Sequence, residues 1–267
     1  ETASQQIREL FGRGETPPEI SAAVAAAYTA LHGAPVAVRS SATAEDLPGA
    51  SFAGQQETYL NLRGPEAVLA AVKQCWASLW TGRAIAYRLN NHIDQETVSL
   101  AVVVQEMALA DAAGILFTAN PVSGKRDEMV INAAWGLGEA IVSGAVTPDT
   151  ITVDKASGRV LRRDIAQKSL MTVRTEQGTA EAPVPAAQQK KAVLTGAQTA
   201  RLAQLGVMIE QLYATPMDVE WALAGGEFFI LQARPITALP PEWTRPDPKA
   251  MYARSSLAEH TPSPATP

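Results

Sequence analysis

The stretch Met217-Asp-Val-Glu-Trp-Ala-Leu223, followed by Ala-Gly-Gly-Glu227 and Phe228-Phe-Ile-Leu-Gln-Ala-Arg234, limits the possible folds of this chain most sharply. Two apolar-rich runs alternate with polar residues across a pair of glycines, the pattern of a β-hairpin with unlike faces. A three-residue loop, Gly225 to Glu227, pairs Ala224 with Phe228 and so sets Glu220 opposite Gln232 and Asp218 opposite Arg234. Val219, Trp221, Phe229 and Leu231 then share the other face. A two-residue loop would instead bring Glu220 opposite Leu231 and mix the faces. The patterned register gathers carboxylate and amide oxygens, which suit a hard cation such as Mg2+, beside an arginine, which suits phosphate. The same residues also accommodate a plain cross-strand ion pair between Asp218 and Arg234.

Elsewhere the period lengthens. Pro17-Pro18 opens a helix in which Ile20, Val24, Tyr28 and Leu31 share a face, and His32-Gly33 stops it. Residues 65–80 form a helix whose broad apolar stripe includes Val68, Val72, Cys75 and Leu79. Cys75 therefore reads as core rather than as a nucleophile. Gly82 marks a bend before a basic segment with Arg83 and Arg88. Residues 35–39 and 57–62 read as strands, joined by a loop of small residues at 40–56. Residues 98–104, almost all apolar and β-branched, read as a strand buried on both faces. Further strands are expected at 113–118 and 128–133, and a hairpin at 151–164 around Ser157-Gly158. Residues 175–187 read as a loop and 188–213 as a long helix. Trp135-Gly-Leu-Gly-Glu139 is not a dinucleotide fingerprint, because Ile141 stands where the third glycine belongs; a tight turn at a helix start is expected. The segment 239–267 holds seven of the 18 prolines and reads as a linker or the start of a following region.

Composition excludes several classes. The 267 residues carry 22 Lys and Arg against 27 Asp and Glu, so no global positive field exists to drive nucleic-acid binding. A single cysteine excludes a disulfide framework within the chain and argues against a cysteine-based zinc site. It suits a reducing, cytoplasmic setting. The uncharged run 20–38 is broken by Gly33-Ala-Pro35, and residues 1–13 lack a signal-peptide pattern, so no membrane partner is expected.

The second informative region starts at residue 36. A buried strand delivers Arg39 into a loop of Ser, Ala, Gly and Thr, where small residues let backbone N–H groups approach an anion and Arg supplies charge. Composition alone leaves a phosphate cradle and a plain surface loop equally open. The whole segment, Ala37-Val-Arg-Ser-Ser-Ala-Thr-Ala-Glu-Asp-Leu-Pro-Gly-Ala-Ser-Phe-Ala-Gly-Gln-Gln-Glu-Thr58, strongly resembles the signature of the pyruvate, phosphate dikinase family's ATP-binding domain. The likeness continues through Cys75-Trp-Ala-Ser-Leu-Trp80, Arg83-Ala-Ile-Ala-Tyr-Arg88, Val104-Gln-Glu-Met107, Gly114-Ile-Leu-Phe-Thr-Ala-Asn-Pro121, Trp135-Gly-Leu-Gly-Glu139 and Leu231-Gln-Ala-Arg-Pro-Ile236. Within that family the likeness is to phosphoenolpyruvate synthases and rifampicin phosphotransferases.

The resemblance implies an α+β, ATP-grasp fold, incomplete at its N-terminus. It divides the chain into a helical remainder of the first subdomain at 1–34, the ATP-binding domain at 35–238 and the linker at 239–267. It puts phosphate contacts on Arg39, Gly54, Thr58 and Arg234. The adenine hinge falls on Gln105, Glu106 and Met107, and the metal-binding pair on Glu220 and Gln232, with ATP and Mg2+ as cofactors. In such enzymes ATP is cleaved to AMP and phosphate, and a phosphoryl group passes through a histidine on a swivelling domain to an acceptor bound by a further domain. Arg39 and Arg234 would neutralise charge during that transfer. The family's Gly-Gly-Lys-Gly segment and its carrier histidine have no counterpart here; His32, His92 and His260 lie outside any matching context. Ser255 to Pro264 resembles the start of the region that follows the ATP domain. The expectation is a chain cut at both ends that completes no turnover alone. It serves a phosphoenolpyruvate synthase-like dikinase or a rifampicin phosphotransferase, and a non-catalytic nucleotide-sensing module is the reading from a different class.

Overall fold

The computed structural model describes residues 2–42, 46–47, 50–51, 58–95, 97–142, 144–237 and 239–240, with backbone alone at 46–47, 50–51 and 142. In chain order the elements are α1 (Thr2–Arg13), α2 (Pro18–Ala30), β1 (Val36–Ala42), β2 (Asp46–Leu47), β3 (Ala50–Ser51), β4 (Thr58–Leu62), α3 (Pro65–Ser78), α4 (Gly82–Asn90), β5 (Leu100–Glu106), β6 (Ala112–Phe117) and β7 (Glu128–Trp135). The chain continues through α5 (Glu139–Val142), β8 (Asp149–Asp154), β9 (Val160–Asp164), β10 (Leu170–Arg174), β11 (Thr179–Pro183), α6 (Gly196–Tyr213), β12 (Met217–Ala224) and β13 (Glu227–Pro235). This is an α+β protein whose strand pairings are antiparallel.

A three-stranded sheet runs β4-β1-β5 and a six-stranded sheet runs β13-β12-β6-β7-β8-β9. In the small sheet, Val36 and Val38 of β1 point to the side where α3 lies and pack against Val68, Val72 and Cys75. Tyr28 and Val24 of α2 join this cluster, and α1 also packs on α3, so residues 2–30 belong to the helical layer of the small sheet. In the large sheet, Leu116, Met129, Ile131, Ile151, Val219 and Trp221 form the dry face, covered by Leu202 and Ala203 of α6. Gly114 is required there: a Cβ on it would sit 1.9 Å from the Asn132 carbonyl oxygen and 2.6 Å from the Trp221 ring. α6 begins at Thr195 with a reciprocal capping box to Gln198. Both sheets thus bury one face under helices and leave the other uncovered.

Several expectations are corrected. β1 continues to Ala42, so the loop begins later than residue 40. The strand at 98–104 is not buried on both faces: β5 alternates between half-buried and exposed, because only one of its sides meets α3. The segment 82–90 is a helix, α4, capped by the Thr81 side chain. Residues 175–187 are not a plain loop, since β11 pairs with β10. The helix expected at 188–213 starts only at Gly196. The turn before α5 forms as expected, with Gly136 at φ +78°. Residues 241–267, and with them most of the proline-rich segment and His260, lie outside the described residues.

Candidate functional site

The uncovered faces of the two sheets line a cavity of about 630 Å3, within the range of small-molecule sites. Its walls come from Ala37 and Arg39 of β1, Thr58 and Leu60 of β4, Gln105 and Glu106 of β5, Ile115 of β6, Glu220 and Ala222 of β12 and Leu231 of β13. The connection after β5 adds Met107, and the turn before α5 adds Leu137 and Gly138. Alternation explains the small-sheet contribution. Val36 and Val38 face the helices, so Ala37 and Arg39 face the cavity, and Arg39 stands beside Thr58 in the register.

The hairpin that closes the other wall reaches the expected pairing by an unexpected route. Its loop has two residues, Gly225 and Gly226, with φ of +58° and +86°, the geometry that a tight hairpin turn needs. Leu223 therefore pairs with Phe228, and Trp221 with Ile230. Between Trp221 and Glu220 the register shifts by one residue, and Leu231 is the extra residue on β13. Beyond that bulge Glu220 faces Gln232 and Asp218 faces Arg234, as the alternation predicts. The dry-face assignments of Phe229 and Leu231 are overturned: Phe228 packs edge-on to Trp221 with ring centroids 5.6 Å apart, and Leu231 lines the cavity.

Arg39 crosses the cavity to this hairpin. Its guanidinium donates to Glu220 Oε2 at 2.9 Å, to the Leu231 carbonyl at 3.2 Å and, at very short range, to Gln232 Oε1. The bulge serves this geometry, because it is the backbone of the extra residue that accepts from Arg39. Arg234 forms a two-pronged pair with Asp218, at 3.0 Å from Nε and 2.9 Å from Nη2. Burial pushes the Asp218 carboxyl above the usual carboxylate range; Arg234 pulls it back only in part, and the nearby Glu220 adds to the upward shift. Asp218 Oδ1 is buried with no hydrogen-bond partner among the described residues.

Of the residues nominated from sequence, Arg39, Thr58, Gln105, Glu106, Met107 and Glu220 line one cavity. Gln232 reaches it through Arg39, and Arg234 sits on the same hairpin face, one alternation further along. Gly54 lies outside the described residues. Sequence reasoning missed Asn61. Its backbone N–H donates to Met107 Sδ at 2.8 Å, and its buried amide donates to the Thr175 and Gly178 carbonyls, both at 2.8 Å. It thereby ties the floor of the cavity to the β10–β11 hairpin. Across the cavity, Thr179 of that hairpin donates to Glu139 at 2.8 Å and the Thr172 carbonyl accepts from Leu137 N–H, so the hairpin straps the two walls together. Only a positive φ at an asparagine hints at this role, and that is invisible in sequence. A larger recess, about 1530 Å3, lies between α1 and α3 and contains none of the nominated residues. Its Lys73 bonds the Gly12 and Gly14 carbonyls that end α1, a structural use.

A cavity between two antiparallel sheets, with Arg39 on one wall and oxygen acceptors on the other, defines the class: an α+β protein with a charged cleft between its sheets. Sequence comparison narrows the class. The family profile described as pyruvate phosphate dikinase, AMP/ATP-binding domain, matches residues 1–255, and the chain belongs to that family. It is 49% identical over 244 residues to a probable phosphoenolpyruvate synthase of Methanocaldococcus jannaschii, covering 89% of this chain and 20% of the relative. It is 46% identical over 256 residues to a phosphoenolpyruvate synthase of Pyrococcus furiosus, covering 90% and 31%. It is 48% identical over 242 residues to a rifampicin phosphotransferase of Streptomyces sviceus, covering 90% and 28%. The chain thus spans between a fifth and a third of these relatives' lengths. No helix among the described residues is long and apolar enough to cross a membrane.

Proposed function

We propose that the chain is the ATP-binding, ATP-grasp portion of a dikinase-type phosphotransferase, with residues 35–238 as its nucleotide-binding body. The observation that carries this reading is the convergence of Arg39, Thr58, Gln105, Glu106, Met107 and Glu220, residues spread over most of the sequence, on one cavity. Leu60, Met107, Ile115 and Leu137 supply apolar walls for a purine ring. Gln105 and Glu106 supply polar groups at its edge. Arg39 and Arg234 face the polyphosphate, where fixed cations stabilise charge on the transferring group.

The donor set also suits Mg2+. Glu220 and Gln232 offer hard oxygens side by side, and the unpartnered Asp218 Oδ1 lies on the same hairpin face. Among the described residues no group of three or more His, Cys, Asp or Glu side chains is arranged to hold a metal. That fits a cation completed by phosphate oxygens and water rather than caged by protein. When bound, Mg2+ would supply neutralisation of the developing phosphate charge.

In the whole enzyme we place this portion as donor of a phosphoryl group to a carrier histidine on a separate domain, with the acceptor held elsewhere. Relatives named phosphoenolpyruvate synthase and rifampicin phosphotransferase match at nearly equal identity, which supports acceptor recognition outside this chain. Calorimetry tests the reading. Mg·ATP should bind the chain, Arg39→Ala and Glu220→Ala should each weaken that binding, and the chain alone should form no AMP when pyruvate is added. Absence of any ATP binding would overturn the assignment, and pyruvate-dependent AMP formation would overturn the division of labour.

A further inference from the structure

The cation and the metal-binding oxygens of the cleft are paired with each other. Arg39 donates to Glu220 Oε2 and to Gln232 Oε1, the two atoms offered to a metal, and among the described residues it donates also to the Leu231 carbonyl. Asp218 is likewise held by Arg234. We propose that, in the nucleotide-free cleft, Arg39 stands in for the divalent cation, so that metal binds this site tightly only together with a polyphosphate that draws Arg39 away. The inference rests on the ATP-binding reading and adds an order of assembly to it.

Three physical points carry it. First, the guanidinium and a divalent cation compete for the same oxygens. A metal arriving alone would have to displace Arg39 and leave it without an anionic partner in a largely covered cleft, which is costly. Second, Glu220 and Gln232 are too few to replace the hydration shell of a hard cation unaided, and no larger ligand cluster exists among the described residues. Phosphate oxygens must complete the site. Third, the latch is cheap to open in the right company. The Arg39–Glu220 side chains are 19% and 23% exposed, so desolvation offsets much of their mutual attraction. A polyphosphate offers Arg39 several charged acceptors in exchange and frees both protein oxygens at the same time. Arg39, Glu220, Asp218 and Arg234 each keep a partner of opposite sign before and after binding, and an isolated metal ion is rejected.

Mn2+ is the probe, read by the loss of its free-ion paramagnetic resonance signal on titration with protein in the absence of nucleotide. The parent chain should bind Mn2+ weakly, and Arg39→Met should bind it at least ten-fold more tightly. The double variant Arg39→Met/Glu220→Gln should lose that gain. Arg83→Met removes another cation that lines the cavity but makes none of these three contacts, and should change Mn2+ affinity less than two-fold. Arg39→Gln serves if the methionine variant fails to melt cooperatively. The proposal is overturned if neither Arg39 variant binds Mn2+ more tightly than the parent, if the gain survives Glu220→Gln, or if Arg83→Met gains as much. Calorimetric titration of the parent with Mg·ATP keeps the two ideas apart. No ATP binding refutes the functional reading, whereas ATP binding with unchanged Mn2+ affinities refutes the latch alone.

Discussion

The three-stranded and the six-stranded sheet each bury one face under helices and turn the other to the same cavity, yet they bring opposite chemistry to it. β1 contributes Arg39 with Thr58 alongside on β4; β12 contributes Asp218 and Glu220 with Gln232 alongside on β13. The dry faces differ as well. Among the described residues the large sheet and α6 share one cluster of fifteen buried residues, whereas those between the small sheet and its helices fall into two clusters, of seven and of three. Stability is therefore concentrated on the acceptor side, while the donor side depends on a single strand that projects its arginine across the cavity. Substitutions on the dry face of the large sheet should cost folding, and those on the wet faces should cost binding.

The largest expected effect breaks the dry face. Gly114→Val places a branched side chain where the Asn132 carbonyl oxygen already lies 1.9 Å from a Cβ position and the Trp221 ring 2.6 Å away. Strands β6 and β7 must part or Trp221 must leave, so a loss of about 3 kcal/mol or more is expected. Denaturant unfolding followed by Trp fluorescence measures it. A variant as stable as the parent would show that the large sheet is less tightly packed than its geometry implies.

Next in size, Arg39→Ala should weaken Mg·ATP binding by roughly thirty-fold, the scale of a lost charge-assisted hydrogen bond of about 2 kcal/mol. Its melting temperature should fall only slightly, because losing a partly exposed ion pair removes a desolvation cost as well as an attraction. A large drop in stability with unchanged affinity would reverse the contrast between wet and dry faces. Smaller again, Thr195→Ala removes the capping box of α6. It should cost about 1 kcal/mol in unfolding and leave ATP affinity within two-fold, since α6 touches the dry face alone.

The same contrast explains what the sequence could reveal. The β12–β13 hairpin is readable because one face is dry: Val219 and Trp221 must go in, so Glu220 and Asp218 must go out. The loop length misled because two routes lead to the same far register. A three-residue loop and a two-residue loop followed by a bulge at Leu231 pair Glu220 with Gln232 equally well. Choosing between them depends on the positive φ of both loop glycines. β10 and β11 escaped detection because neither supports an apolar core: β11 is mostly exposed and the one buried residue of β10 is Thr172, so no hydrophobic period marks them. α4 escaped for a different reason. Its Arg88 is fully buried, bonded to Gln95 and to the Leu79 carbonyl and stacked over Trp80, and a buried arginine does not read as an inward-facing position. The gathering of Arg39 with Glu220 was legible only through family resemblance, since 181 residues separate them and no local pattern links the two sheets.

The smallest expected effect concerns pH and again separates the two walls. Asp218 is 12% exposed in its side chain, and burial raises its carboxyl above the ordinary value near 3.8 despite Arg234. The folded state therefore binds a proton more readily than the unfolded state in the interval between that ordinary value and the raised one. Unfolding free energy must fall as pH climbs through the interval. The stabilising contribution is complete below the ordinary value and gone above the raised one. Asp218→Asn cannot titrate, so the melting temperature of the variant relative to the parent should shift in the variant's favour as pH rises across the acid range, then level off. Arg234→Met in the parent background should widen the interval by removing the group that pulls the carboxyl down. A melting difference that stays flat with pH would mean that Arg234 fully offsets burial. The Asp218 carboxyl would then ionise no less readily in the folded chain than in the unfolded one.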